Sequence, residues 1–286
     1  MEARMPAREI EIALPHLRLA GCAWGDPALP PLLALHGWLD NAASFERLAP
    51  LLCEHFHIVA IDLAGHGRSQ HRPAGLWYHY LDYLGDVLTV ADVLGWQRFS
   101  LLGHSLGGAI ASMVAAAMPE RIERLLLIEA LGPMTLAAEQ TLAHLRRSFH
   151  EGGQTGALRV FADATEAIDA RTRGNGPGLS ADAATVLIAR GTKPVPGGLS
   201  WSSDPRLTLT SPVRYTEEQI LAVLRGIAAP SLLVLADPSP PFLPAEMIER
   251  RVAQVANIRV RRLRGSHHLH LEDPQPVAAE ILEFID

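Results

Sequence analysis

Short, unbroken apolar runs recur along the chain and each ends at glycine, proline or a polar cluster. Residues 31–35 form a continuous apolar run, and 56–63, 99–102 and 122–128 are largely apolar; all read as buried strands, as expected where a strand is covered on both faces. Residues 231–236 and 258–263 read as two further strands, the second alternating apolar residues with arginines. Between the runs the period changes from continuous to helical. Phe45, Leu48, Leu51 and Leu52 share one face of a predicted helix over 41–53, opposite Glu46 and Arg47. Leu84, Val87, Leu88, Ala91 and Leu94 mark a second over 81–94, which Gly95 can close. Alanine-rich 105–118 gives a close-packed third, and 244–255 and 276–284 give two more. At the start, 10–14 and 17–20 alternate loosely around Pro15-His16 and predict an antiparallel pair at a sheet edge.

Strand and helix alternating at this spacing predict a parallel sheet with helices on both faces. The rhythm breaks from about 132 to 228. Helical patterns at 137–150, 156–171, 181–190 and 217–225 follow one another there with no buried strand between them. Loops at 174–178 and 193–198, rich in glycine and proline, separate them. The stretch is expected to be a helical insertion covering one end of the sheet.

At 286 residues the chain can bury a large core without metals or disulfides. A net charge of −6, from 25 basic against 31 acidic residues, argues against a nucleic-acid partner. Cys22 and Cys53 form no framework and share no ligand spacing, which suits a reducing cytoplasm. The charged segment Met1 to Arg8 has no apolar core of a signal peptide, and no run is long enough to span a bilayer.

The candidate chemistry begins at Gly103-His104-Ser105-Leu106-Gly107-Gly108, where a predicted strand meets a predicted helix. The Gly-x-Ser-x-Gly frame describes a turn so sharp that the serine hydroxyl is left exposed, and glycines avoid collisions with the adjoining strand and helix. A serine needs a base and a group to orient that base. His267, after the last predicted strand, is the candidate base, because ligands gather beyond the carboxyl ends of parallel strands. His268 is expected to pack and His270 to hydrogen-bond within its loop. The three histidines lack the spacing of a zinc pair, so no metal is expected.

The ordered motifs His36-Gly37, Asp62-x-x-Gly65-x-Gly67-x-Ser69, Gly103-His104-Ser105-Leu106-Gly107-Gly108 and His267-x-x-His270-x-Glu272 resemble those of the α/β-hydrolase fold superfamily. Residues 36–41 and 128–133 look most like its serine hydrolase-like group. The resemblance implies a mostly parallel eight-stranded sheet flanked by helices, with core residues 1–131 and 229–286. A helical cap, 132–228, would be inserted after the sixth strand. It implies Ser105 as nucleophile, His267 as base, and an oxyanion hole from the backbone N–H groups of Trp38 and Leu106. Asp62, Arg68 and Ser69 would brace the neighbouring loops. The acid is open between two positions. Asp237 follows the strand where many members carry it, but in a proline-stiffened loop; Glu129 ends the strand after the elbow helix and is preferred.

The function this implies is carboxylic ester hydrolysis through an acyl-enzyme, on a small acyl ester and without a cofactor. A thioesterase, lactonase or carbon–carbon bond hydrolase would use the same triad, and a non-catalytic binding protein could keep the fold. Trp38 and His104 are candidate substrate contacts, and Phe149, Phe161, Leu187 and Trp201 candidate lining residues of the cap.

Overall fold

The computed structural model describes residues 7–152, 156–174 and 179–286. The opening strands β1 (Arg8–Ala13) and β2 (Arg18–Trp24) pair antiparallel, with Ile12 opposite Leu19. There follow β3 (Pro31–Leu35), α1 (Ala49–Leu52), β4 (His57–Ile61), α2 (Tyr80–Val93), β5 (Phe99–His104), α3 (Leu106–Ala117) and β6 (Ile122–Ile128). The inserted segment carries α4 (Thr141–Glu151), β7 (Val160–Phe161), α5 (Ala164–Gly174), α6 (Ala181–Gly191), β8 (Thr192–Val195), β9 (Gly198–Trp201) and α7 (Glu217–Leu224). The chain then returns through β10 (Ser231–Asp237), α8 (Ala245–Val252), β11 (Ile258–Arg264), α9 (Leu269–Glu272) and α10 (Pro274–Ile285).

Eight strands form one sheet in the order β1-β2-β4-β3-β5-β6-β10-β11, antiparallel at β1-β2 and β2-β4 and parallel elsewhere. The unbroken apolar runs now have a cause. Along β3, Leu33 and Leu35 enter one buried cluster with Val87, Ile110 and Val114 of α2 and α3. Leu32 and Ala34 enter the other, with Leu52 of α1 and Val277 and Ile281 of α10. Successive side chains point to opposite faces, so a strand covered twice must be apolar at every position.

The chain leaves β3 for β4 on one side and reaches β5 on the other. The carboxyl ends of β3 and β5 are therefore the point where the strand order reverses, the place where open α/β sheets bind ligands. The inserted segment leaves from the carboxyl end of β6, on that same edge, and the chain re-enters the sheet at the amino end of its parallel neighbour β10.

Two expectations change. Residues 41–53 form a 3₁₀ turn, Ala42–Phe45, and then the separate short α1. Pro50, which lacks an amide donor, sits in the first turn of α1 where that loss is harmless, so the helix restarts there. Phe45, Leu48 and Leu52 are still buried together.

The inserted segment is not purely helical. Residues 156–171 divide into β7 and α5, and 193–198 belong to the hairpin β8-β9 instead of a loop, giving a three-stranded sheet β7-β9-β8. Pro194 is accommodated because β8 is an edge strand, and Gly197 and Gly198 turn the chain at φ 91° and 146°. Phe161 meets Trp201 edge to face at 4.8 Å behind this sheet. Of the predicted loop 174–178, residues 175–178 lie outside the described residues. Among the described residues no helix is long and apolar enough to cross a membrane.

Candidate active site

Ser105 is the hinge between β5 and α3 and takes φ 51°, ψ −113°, a conformation that side chains rarely adopt. Its neighbours explain how that is held. Ser105 N–H donates to Ile128 O at 3.0 Å, and Gly107 N–H to His36 O at 3.0 Å. A Cβ on Gly103 would lie 2.5 Å from Gly107 O, and one on Gly107 would lie 1.9 Å from Leu35 O, so only glycine lets helix and strands close around the turn. Ser105 itself remains partly exposed. Leu106 opens α3, at the end of a helix where backbone amides point outward.

Glu129 follows β6 with φ 59°, also left-handed, and is 1% exposed. That turn directs its carboxylate across the sheet edge. Oε1 accepts from Ala236 N–H at 2.6 Å, and Oε2 accepts from His267 Nδ1–H at 3.1 Å. In the tautomer that donates from Nδ1 to this carboxylate, Nε2 is the acceptor nitrogen of the ring. Phe242 packs edge-on to the His267 ring at 4.9 Å. Of the two carboxylates weighed from sequence, Glu129 is the one in contact with His267. Asp237 has an exposed side chain, and its carbonyl accepts from Gly265 N–H at 3.2 Å.

His104 is fully buried, and its Nε2–H donates to His267 O at 2.8 Å. It props the histidine loop from beneath, so the expectation that it touches substrate gives way to a buttressing position. Burial, reinforced by the His270, His267 and His268 rings, pushes it well below the ordinary histidine range, and it is neutral. Its Nδ1 has no hydrogen-bond partner among the described residues and lies 3.7 Å from Asp40 Oδ2.

His268 donates from Nε2 to the same Asp40 oxygen at 3.2 Å, and Arg171 of α5 pairs with the other. Burial alone would raise the Asp40 carboxyl, but His268, Arg171 and His104 outweigh it and hold Asp40 well below the usual carboxylate range. His270 does not bond within its loop; its Nε2 meets Ser44 Oγ at 2.8 Å. Asp40, His104 and His268 bring one ligand atom each within 4.8 Å of one another and could take a cation, but the Arg171 guanidinium already supplies positive charge to Asp40.

The turn after β3 is closed by Asp40 N–H to Gly37 O at 3.1 Å, with Leu39 at φ 60°. His36 supports it: Nε2 accepts from Leu63 N–H at 2.9 Å, which leaves Nδ1–H to donate to Gly37 O at 2.7 Å. Trp38 is half-exposed, with its indole N–H donating to Leu207 O at 3.1 Å in the inserted segment. Asp62 is fully buried and accepts from Ala42 N–H, Arg68 N–H and Arg190 Nε, while Ser69 Oγ–H donates to Asp62 O.

Beside the turn lies a cavity of about 300 Å³ between sheet edge and insertion, with Leu39, Leu158, Phe161, Leu187, Ile188 and Trp201 among its walls. Three of the four lining residues read from sequence are there. Phe149 is elsewhere, 66% exposed and edge-on to Trp77 at 6.3 Å. Asp40 and Arg171 were not singled out from sequence as site residues. They are 131 positions apart, and neither has a local pattern that announces the other.

Comparison with known proteins agrees with this architecture. A family profile described as alpha/beta hydrolase fold matches residues 30–274. A serine hydrolase-like protein of Danio rerio is 32% identical, over 99% of this chain and 89% of its own. The crystal structure of a hypothetical protein from Pseudomonas aeruginosa PAO1 superposes with a TM-score of 0.92 at 44% identity, covering 97% of this chain and 99% of that one. A thioesterase domain from the curacin biosynthetic pathway superposes with a TM-score of 0.84 at 28% identity, over 97% and 100% of the two chains. The chain belongs to the α/β-hydrolase fold family, in its serine hydrolase-like group.

Proposed function

We propose that the protein hydrolyses carboxylic esters through an acyl-enzyme, with Ser105 as nucleophile, His267 as general base and Glu129 as the acid that orients it. The observation that carries this reading is the bond from His267 Nδ1 to Glu129 Oε2, made from a left-handed backbone at Glu129. A buried carboxylate with strained backbone needs a reason, and fixing the histidine tautomer supplies one.

In this mechanism His267 Nε2 takes the Ser105 proton as Oγ attacks the ester carbonyl. The Trp38 and Leu106 N–H groups receive the developing oxyanion, each worth about 3 kcal/mol in comparable sites. Imidazolium then returns its proton to the departing alkoxide. Water, deprotonated by the same nitrogen, releases the acid and restores serine. The cavity beside the turn has both apolar walls and charged ones, Asp40 and Arg171 among them, and residues 132–228 act as the cap over it.

Thioesters present the same acyl carbonyl, and the likeness to a thioesterase domain favours including them. The test is hydrolysis of p-nitrophenyl and thioester substrates of graded acyl length, with fluorophosphonate labelling of wild type and Ser105→Ala. Labelling and turnover lost together in Ser105→Ala are expected. A folded wild type that neither labels nor turns over any ester would support a binding protein on this fold instead.

A further inference from the structure

The inserted segment is fastened to the turn after β3 at Trp38, Asp40 and Asn41. Trp38 Nε1–H reaches Leu207 O at 3.1 Å, and Asn41 Nδ2–H reaches Leu187 O at 2.9 Å. Between them, Arg171 grips Asp40 Oδ1, with both side chains buried. The first two bonds end on the insertion's backbone. The third continues inward.

Asp40 Oδ2 accepts from His268 Nε2–H at 3.2 Å, and His268 is the residue after His267. His267 O in turn receives His104 Nε2–H at 2.8 Å. The peptide carrying the proposed base is therefore held at His267 O and, one residue on, through the His268 side chain. Asp40 also closes the turn that bears the Trp38 amide, through its own N–H on Gly37 O at 3.1 Å. One buried residue thus joins the insertion and the histidine loop through its carboxylate and the oxyanion turn through its backbone N–H.

Resting on the serine-hydrolase reading above, we infer that Asp40 is a positioning residue through which the seating of Arg171 on α5 sets the alignment of His267 and the Trp38 amide. Without the guanidinium, Asp40 keeps a buried charge with His268 as its remaining close donor. The carboxylate then shifts toward His268 or draws in water, and both the histidine loop and the turn move with it. A displacement of about 1 Å in such groups costs on the order of 100-fold in rate. A cavity wall acts differently: Arg171 also borders the cavity, and a mere wall affects substrates according to how far they reach.

The experiment compares kcat and KM for p-nitrophenyl acetate and p-nitrophenyl octanoate in wild type, Arg171→Gln, Arg171→Lys, Asp40→Asn and the double variant Asp40→Asn/Arg171→Gln. Circular dichroism confirms folding of each. Arg171→Gln is expected to lower kcat for acetate and octanoate alike, by about 100-fold, with acetate KM within about twofold. Arg171→Lys, which keeps the charge but not the fork, should recover part of the loss. The double variant should be no worse than Arg171→Gln, because both changes break one chain of contacts.

A defect confined to octanoate KM, with acetate kcat unchanged, would overturn the inference, as would independent, multiplying losses in the double variant. If Arg171→Gln does not fold, Arg171→Lys carries the test: acetate kcat lowered about tenfold supports the inference, and unchanged kcat overturns it. A wild type inert to both esters and unlabelled by fluorophosphonate at Ser105 refutes the hydrolase reading itself, a result separable from all of these.

Discussion

His267 Nδ1 and Glu129 Oε2 stand 3.1 Å apart although 138 residues separate them in the chain. The second Glu129 oxygen is occupied by Ala236 N–H at 2.6 Å, so the carboxylate cannot swing away without abandoning a buried donor. Glutamate at 129 is thereby fixed as an acceptor at both oxygens.

Glu129→Gln should therefore cost far more than its small change in shape suggests. Its amide NH₂ would face either Ala236 N–H or His267 Nδ1, each of which needs an acceptor. Facing the ring, it drives the proton onto Nε2, the wrong tautomer for a base. Ester turnover is expected to fall about 10³- to 10⁴-fold. Asp237→Asn, at an exposed position, should stay within about threefold of wild type. Steady-state kcat on one good ester decides it: the reverse ranking would transfer the acid's role to Asp237.

The elbow makes a prediction about folding. Gly107→Ala places a methyl 1.9 Å from Leu35 O, a backbone atom at the carboxyl end of β3 that cannot yield as a flexible side chain would. The variant should be insoluble or melt far below wild type, opposite in sign to the gain of ~1 kcal/mol that helix propensity alone would give alanine over glycine. Gly75→Ala, in open space but at φ 84°, serves as a control for backbone strain without collision. Equal melting temperatures for the two variants would contradict the steric account.

These particulars show what was legible from the chain alone. Strands covered on both faces appeared as unbroken apolar runs, and the elbow appeared as glycines around Ser105, because both depend on neighbours in sequence. The break of 41–53 was legible only in retrospect, through Pro50. The β8-β9 hairpin was hidden because Lys193-Pro194-Val195-Pro196-Gly197-Gly198 has the composition of a loop, and an edge strand tolerates such residues. Asp40 was quoted only as part of a motif. Its importance comes from Arg171 and His268, distant partners that no local periodicity encodes.

Arg190 offers a stability test removed from the proposed chemistry. Its Nε bonds both Asp62 oxygens at 2.9 and 3.0 Å, and its Nη1 bonds Glu9 at 2.7 and 2.8 Å, with only 4% of the side chain exposed. Arg190→Met keeps much of the volume but leaves the buried Asp62 charge supported by the Ala42 and Arg68 amides alone among these donors. Breaking one side of such a pair costs about 3 kcal/mol. The Asp62→Asn/Arg190→Met double variant should be less destabilised than the sum of the single changes. Denaturant midpoints would measure the coupling, and simple additivity would count against the buried pair as the cause.

Stability should also fall on mild acidification, before the carboxylates titrate. Burial lowers His36 to about 4 and His270 to about 3, from an ordinary value of 6.5. Burial likewise lowers His66 to about 3, with His36 adding to the effect. Below 6.5 the unfolded chain takes up protons at these histidines while the folded protein does not, so the unfolded state gains. Their contribution is fully present above pH 6.5 and is lost as pH falls from there toward 4 for His36 and toward 3 for the other two. At pH 5 each such group has cost about 2 kcal/mol relative to neutrality. The predicted result is a melting temperature steady from pH 8 to 7 and dropping several degrees by pH 5, with the drop reduced in His270→Gln, which keeps an amide donor within reach of Ser44 Oγ. A melting temperature unchanged between pH 7 and pH 5 would mean that these imidazoles are already protonated in the folded protein, and the buried neutral histidine cluster beneath the loop of His267 would have to be abandoned.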